Sequence, residues 1–159
     1  MLLPFWDGLV PTKEYDIEMA EMADRHYTRR TVGNSRFMLP GRKLVLRDTF
    51  GTIVFGWLWQ ERRMDEQTGY NCAIFRNESD RLSSEIILEA EALAFAKWGP
   101  NRLYTYVNPK KIRSSNPGYC FQRAGWQKRG ISSRGLVLLA KDVPLRHAPP
   151  FRVQLQLPL

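Results

Sequence analysis

Asn116–Trp126 reads NPGYCFQRAGW. It follows a strand-like RLYTYV (Arg102–Val107) and a basic turn, NPKKIRSS (Asn108–Ser115). Asn116 is a natural helix N-cap, and Pro117 suits the first helical position because it lacks an N–H that would go unpaired there. Phe121 and Ala124 fall where a short helix would face a core. Gly125 is placed to end that helix in a left-handed turn. The hairpin WQKRGISSRGLVLLAKDV (Trp126–Val143) comes next, so the second half reads as strand, short helix, strand, strand.

Working outward, RNESDRLSSEIILEAEALAFAKWGP (Arg76–Pro100) predicts a long helix. Ser79 or Asp80 would cap it, Leu82, Ile86, Ala90 and Leu93 would line one face, and Gly99-Pro100 would stop it. YNCAIFR (Tyr70–Arg76) is a strand, and KLVLRDTFGTIVFGWLWQ (Lys43–Gln60) is two strands turning around Asp48–Gly51. Ile17, Ala20, Ala23 and Tyr27 recur at helical spacing and predict a helix from Tyr15 to about Arg29. Strands alternating with helices in the second half imply a mixed sheet with a central parallel pair. Residues 1–14 are a lead-in, 15–143 one domain, and 144–159 a Pro-rich extension. The alternating FRVQLQL of that extension suits an arm on a sheet edge, and with it a homodimer, or else a poorly ordered tail.

The chain has 159 residues, 24 Lys and Arg against 16 Asp and Glu, a net charge of +8 and a pI near 9.8. That surplus suits a polyanionic partner, because phosphate contacts release counterions, and equally a soluble protein that is simply basic. No apolar run is long enough for a bilayer, and no membrane partner is expected. The opening MLLPFWDGLVP lacks a basic n-region, so no signal peptide is expected. Cys72 and Cys120 form no CxxC pair and read as small buried residues in a reducing cytoplasm. With His26 and His147 the only histidines, no metal site is expected.

The element order and the closing helix resemble the GNAT acyltransferase fold, an α/β (α+β) architecture. Its sheet is mixed and mostly antiparallel, with a central parallel pair and flanking helices. The family's N-x-x-A-x-x-F-Y-E-K-x-G-F helix corresponds here to Asn116, Cys120, Phe121, Gln122, Arg123, Ala124, Gly125 and Trp126. Two departures stand out. The family's Q/R-x-x-G-x-G/A loop, which grips the coenzyme A pyrophosphate, is replaced by RNESDR (Arg76–Arg81). The tyrosine that protonates the leaving thiolate falls at Phe121. Acetyl-coenzyme A is therefore a possible donor whose usual pyrophosphate loop is missing, and the cofactor is left open. VNPKKIRSSNPGYCFQRAGW, HYTRRTVGN and LPGRKLVL are similar to phage proteins of the Mom type. Those are GNAT-fold enzymes that place a carbamoylmethyl group on the exocyclic amine of adenine in DNA. The resemblance implies a double-stranded DNA substrate in a bacterial host's cytoplasm.

The basic turn ahead of the short helix is a candidate anion site, formed by Asn108, Lys110, Lys111, Arg113, Ser115 and Asn116. A helix N-terminus adds partial positive charge there. A solvated loop with a capping Ser115 or Asn116 is the alternative. His26 is a candidate general base over the substrate cleft, with Ser114 beside it. Tyr119 is a candidate proton donor in place of Phe121. Arg29, Arg30, Arg36, Arg42, Lys43, Arg62 and Arg63 are candidate phosphate contacts or plain surface charges; Trp57, Trp59 and Tyr70 suit the core, and any left on the open face could stack on an extruded base. Three functions follow: a DNA base modifier, an acetyl-coenzyme A-dependent N-acetyltransferase acting on a protein, tRNA or metabolite amine, or a non-catalytic nucleic-acid-binding module.

Overall fold

A computed structural model describes residues 8–26, 37–61, 65–111 and 116–143. Seven strands form one sheet in the order β1-β2-β3-β4-β5-β7-β6. They are β1 (Val10–Thr12), β2 (Arg42–Arg47), β3 (Ile53–Trp59), β4 (Tyr70–Asn77), β5 (Leu103–Val107), β6 (Gln127–Ile131) and β7 (Val137–Lys141). The helices are α1 (Ile17–Asp24), α2 (Ser83–Trp98) and α3 (Tyr119–Arg123). Every pairing is antiparallel except β4 with β5. The mixed sheet with a central parallel pair is therefore as expected.

The sequence explains the frame. β3, IVFGWLW, is buried along six of its seven residues because both faces of the sheet are covered there. Asp48 builds the β2–β3 turn: its carboxylate accepts the Thr52 and Ile53 amides (2.8 and 2.9 Å) and the Thr52 hydroxyl. The main core lies between the sheet and α2, where Ile86, Ile87, Ala90 and Ala94 meet Leu46, Phe55 and Trp57. Trp57 is wholly buried and donates its indole N–H to the Ala90 carbonyl at 2.9 Å. On the opposite face α1 buries Met19 and Met22 against Val45 and Val54.

Several expectations give way. Val10–Thr12, read as part of a lead-in, pairs with β2 as an edge strand. α1 begins at Ile17, where Asp16 Oδ1 accepts the Met19 amide at 3.2 Å. Ile17 is 72 % exposed, and the buried stripe is Met19, Ala20, Met22 and Ala23. The spacing is helical as expected, but the methionines set its phase; Tyr27 lies outside the described residues. α2 starts at Ser83 rather than near Ser79, and Leu82, expected on the buried face, is its exposed N-cap. Ser79 is used elsewhere: its N–H and hydroxyl both donate to Asn77 Oδ1 at 2.9 and 2.6 Å. Such a local side-chain turn competes with helix formation. α3 is likewise capped by Gly118, not Asn116, and Pro117 sits in the preceding turn. Its end is as expected. Gly125 adopts φ 98° and the Trp126 amide reaches back to the Phe121 carbonyl at 3.0 Å.

Gly118 is fixed by two constraints. Its φ is +81°, and a Cβ there would lie 2.7 Å from a Leu139 methyl. Gly118→Ala is expected to cost about 1–3 kcal/mol of stability from backbone strain and overpacking. Chemical denaturation would read this as a lower midpoint with an unchanged slope.

Candidate active site

The parallel ladder between β4 and β5 has only two rungs, Tyr70↔Leu103 and Asn71↔Tyr104. The reason lies one strand away. Trp57 pairs with Cys72 and Gly56 with Ile74, so Ala73 is a bulge residue with no partner on β3. A bulge bends and twists its strand, and β4 leaves β5 at that point. A cavity of about 410 Å³ opens between them, walled by Cys72–Phe75 of β4, Thr105–Val107 of β5, and Gly118–Phe121 of α3 and its cap. His26, Asn77, Ser83 and Asn116 complete it. Thr105 spans the apex by donating its hydroxyl to the Cys72 carbonyl at 2.8 Å.

Of the residues expected at the site, His26, Tyr119 and Asn116 line this cavity. Tyr119 is 55 % exposed at its mouth. Asn116 Oδ1 accepts the Lys128 ammonium at 2.8 Å. Asn108 shapes the turn after β5, its side chain accepting the Lys110 amide at 3.0 Å and its carbonyl the Lys111 amide at 3.1 Å. Lys110 and Lys111 are exposed beside the cavity and do not line it. Arg113, Ser114 and Ser115 lie outside the described residues, as do Arg29, Arg30, Arg36, Arg62 and Arg63.

Other expected contacts are engaged within the fold. Arg42 lies 4.6 Å above the Trp59 ring and 4.0 Å from Glu61, and Lys43 pairs with Glu14 at 3.2 Å. Of the two readings of the aromatics, packing holds: Trp57 and Tyr70 are buried, and Trp59 lies against Tyr70 and Trp98 at 5.2 and 5.6 Å. Phe121 is a core residue as well as a cavity wall, 4.8 Å from Trp126.

Burial pulls the His26 imidazole down to about 4; the Arg76 charge adds to this and a hydrogen bond with the Phe75 backbone opposes it. His26 is therefore neutral at pH 7 and too weak a base to store a proton. The unfolded chain takes up this proton near the ordinary 6.5. Stability contributed by neutral His26 is thus fully present above pH 6.5 and is lost as pH falls towards 4. The melting temperature of the native protein, minus that of His26→Gln, is expected to fall across this window and stay flat from pH 7 to 8.

Arg76, Glu78 and Arg81 of the RNESDR loop are paired, with one another or with Arg25 and Glu89. Glu78 accepts Arg25 Nε and Nη2 at 2.9 and 3.1 Å and Arg76 Nε at 2.5 Å, while Arg76 Nη1 donates to the Arg25 carbonyl at 3.0 Å. These two guanidinium groups hold the Glu78 carboxyl down at about 2. Arg81 is drawn to Glu89 at 2.8 Å. The first turn of α2 has no side-chain cap, because Leu82 offers no acceptor. With Ser83 on the cavity wall, that turn presents a positive dipole end to an anion.

Sequence reading missed Cys72, Thr105, Tyr106, Asn77 and Ser83 as cavity residues. The expected parallel pair was the available signal: a ligand site belongs at the carboxyl ends of such strands. Which residues stand at the gap depended on the Ala73 bulge, which has no sequence signature here. Among the described residues no three His, Cys, Asp or Glu side chains converge as a metal site. No described helix is long and apolar enough to cross a membrane.

No protein-family model and no curated protein matches this chain. Solved structures do. It is similar to aminoglycoside acetyltransferase AAC(6')-Ib in complex with coenzyme A and kanamycin, with 13 % identity and a TM-score of 0.62 over 86 % of this chain and 95 % of that one. The GNAT domain of S. lividans PAT aligns with 16 % identity and a TM-score of 0.56, over 85 % and 89 % of the two chains. An acetyltransferase from Thermus thermophilus aligns with 14 % identity and a TM-score of 0.51, over 85 % and 96 %. The protein has the GNAT fold.

Proposed function

We propose that this protein is a transferase that moves a small acyl-type group from a coenzyme A-type thioester to an amine. The observation carrying this reading is the cavity where β4 leaves β5. It is supported by the likeness to acetyltransferase structures, one of them determined with coenzyme A and kanamycin. A coenzyme A thioester supplies an activated carbonyl when bound. The β4 and β5 walls would hold its extended arm, and Ser83 with the uncapped first turn of α2 would hold its phosphates. Beyond Asn71 β4 has no rung to β5, which leaves backbone N–H groups to donate to an oxygen in the cavity. Neutral His26 accepts a hydrogen bond from an incoming amine and leaves the proton to water. The Tyr119 hydroxyl, at the mouth, stands in for the acid that Phe121 cannot be. Incubating the protein with acetyl-coenzyme A and a panel of amines tests the reading: amine-dependent release of free thiol supports it. No release above background with any amine counts against it.

A second reading keeps the transfer and makes the acceptor an exocyclic base amine in DNA. The +8 charge favours it, as does the similarity of Val107–Trp126 to Mom-type proteins. Mass spectrometry of nucleosides from expressing cells would reveal a heavier base, and an unaltered profile would remove this acceptor.

A further inference from the structure

The chain's positive charge has one source. Residues 101–143 carry nine Lys and Arg against the single acid Asp142, a surplus equal to the net +8 of the whole chain. These residues form β5, α3, β6 and β7, the wing of the sheet on one side of the cavity. Strand register gathers four of the cations. Val137 faces both Val107 and Ile131. The turn after β5, with Lys110 and Lys111, therefore adjoins the Ser132–Gly135 turn that carries Arg134. Both lie at the end where β4 and β5 are apart. Lys128 pairs with Leu139, the residue beneath Gly118, so it stands on the α3 face and its ammonium reaches Asn116 at the cavity wall.

All four side chains are exposed, and none joins an ion pair among the described residues. Arg25, Arg47, Arg76 and Arg81, outside this wing, each face a carboxylate. Across three strands the cations span roughly 10 Å at the usual strand spacing, wider than one pyrophosphate needs. Tyr119 lines the cavity and is 55 % exposed, an aromatic available to stack on an unpaired base.

We propose that Lys110, Lys111, Lys128 and Arg134 form a docking surface for duplex nucleic acid, set to deliver a base to the β4/β5 cavity. The delivery rests on the second reading above; the binding does not. The test is fluorescence anisotropy of a labelled 20-base-pair DNA duplex at several salt concentrations. It compares the native protein, Lys110→Gln/Lys111→Gln/Lys128→Gln/Arg134→Gln, and the control Arg42→Gln/Lys43→Gln.

The native protein is expected to bind, with log K falling linearly against log salt. Removing the four cations should flatten that slope by about 3–4 and weaken binding at least ~30-fold, since each neutralised phosphate contributes about 0.9 to the slope. The control should keep the native slope. Lys128→Gln and Arg134→Gln singly, each flattening the slope by about 0.9, serve if the quadruple variant fails to melt cooperatively. No native binding at low salt, an unchanged slope in the variants, or tighter binding to single-stranded DNA or polyglutamate than to the duplex would overturn the proposal. Since transfer is not read, DNA that binds but is never modified removes the second reading and leaves the docking surface standing.

Discussion

Ala73→Trp is expected to abolish group transfer while the melting temperature stays within a few degrees of the native value. Ala73 is the bulge residue of β4, unpaired with β3 and only half-buried, and it lines the cavity. An indole there enters the space where a donor's reacting end would lie, without displacing a core neighbour. A misplacement of about 1 Å already costs on the order of 100-fold in rate, so a filled cavity should lose at least that much. Ala73→Ser, which adds one oxygen, should retain most of the activity. Rates of thiol release and melting curves of both variants check this. Native-like rates in Ala73→Trp would place the chemistry elsewhere.

Glu91→Ala is expected to produce the largest loss of stability, roughly 3 kcal/mol. Glu91 is 5 % exposed on α2, and its carboxylate joins three elements. It accepts the Trp126 indole N–H and the Lys141 ammonium, each at 2.8 Å, while Lys141 also donates to the Ala124 carbonyl at 2.9 Å. The network pins the end of α3 and the last strand to the long helix. Burial pushes the Glu91 carboxyl up, against the opposing effects of Lys141 and Trp126. The ion pair is thus costly to form, and costlier to leave half-made. Replacing both charges, as Glu91→Leu/Lys141→Leu, should recover part of the loss. Urea unfolding of the two variants measures the difference; equal stabilities would mean the charge on Lys141 is not stranded by Glu91→Ala.

Patterned segments made most of the fold legible. β2, β3, β4 and α2 carry alternating or continuous apolar residues with clear stops, and Gly125 marked the end of α3 because a left-handed residue is needed there. Failures came where a polar side chain could serve two local purposes. Asn116 reads as a helix cap but accepts Lys128, and Ser79 reads as a cap but closes a turn on Asn77. The site was legible only in part for a different reason. His26, Tyr119 and Asn116 belong to segments with a visible role, whereas Thr105 and Cys72 become cavity residues only because β4 turns away at Ala73. In the front half Arg42 lies over Trp59 and 4.0 Å from Glu61, and Lys43 pairs with Glu14, contacts that the sequence does not signal. Lys110, Lys111, Lys128 and Arg134 look no different in sequence; the structure gives these four no acidic partner among the described residues.

Calorimetric titration of coenzyme A into the native protein and into Ala73→Trp tests the central claim, that the gap between β4 and β5 is the donor site. The expected result is one site per chain in the native protein and no heat of binding in the variant. Absent binding to the native protein, or equal binding to a folded Ala73→Trp, would contradict it.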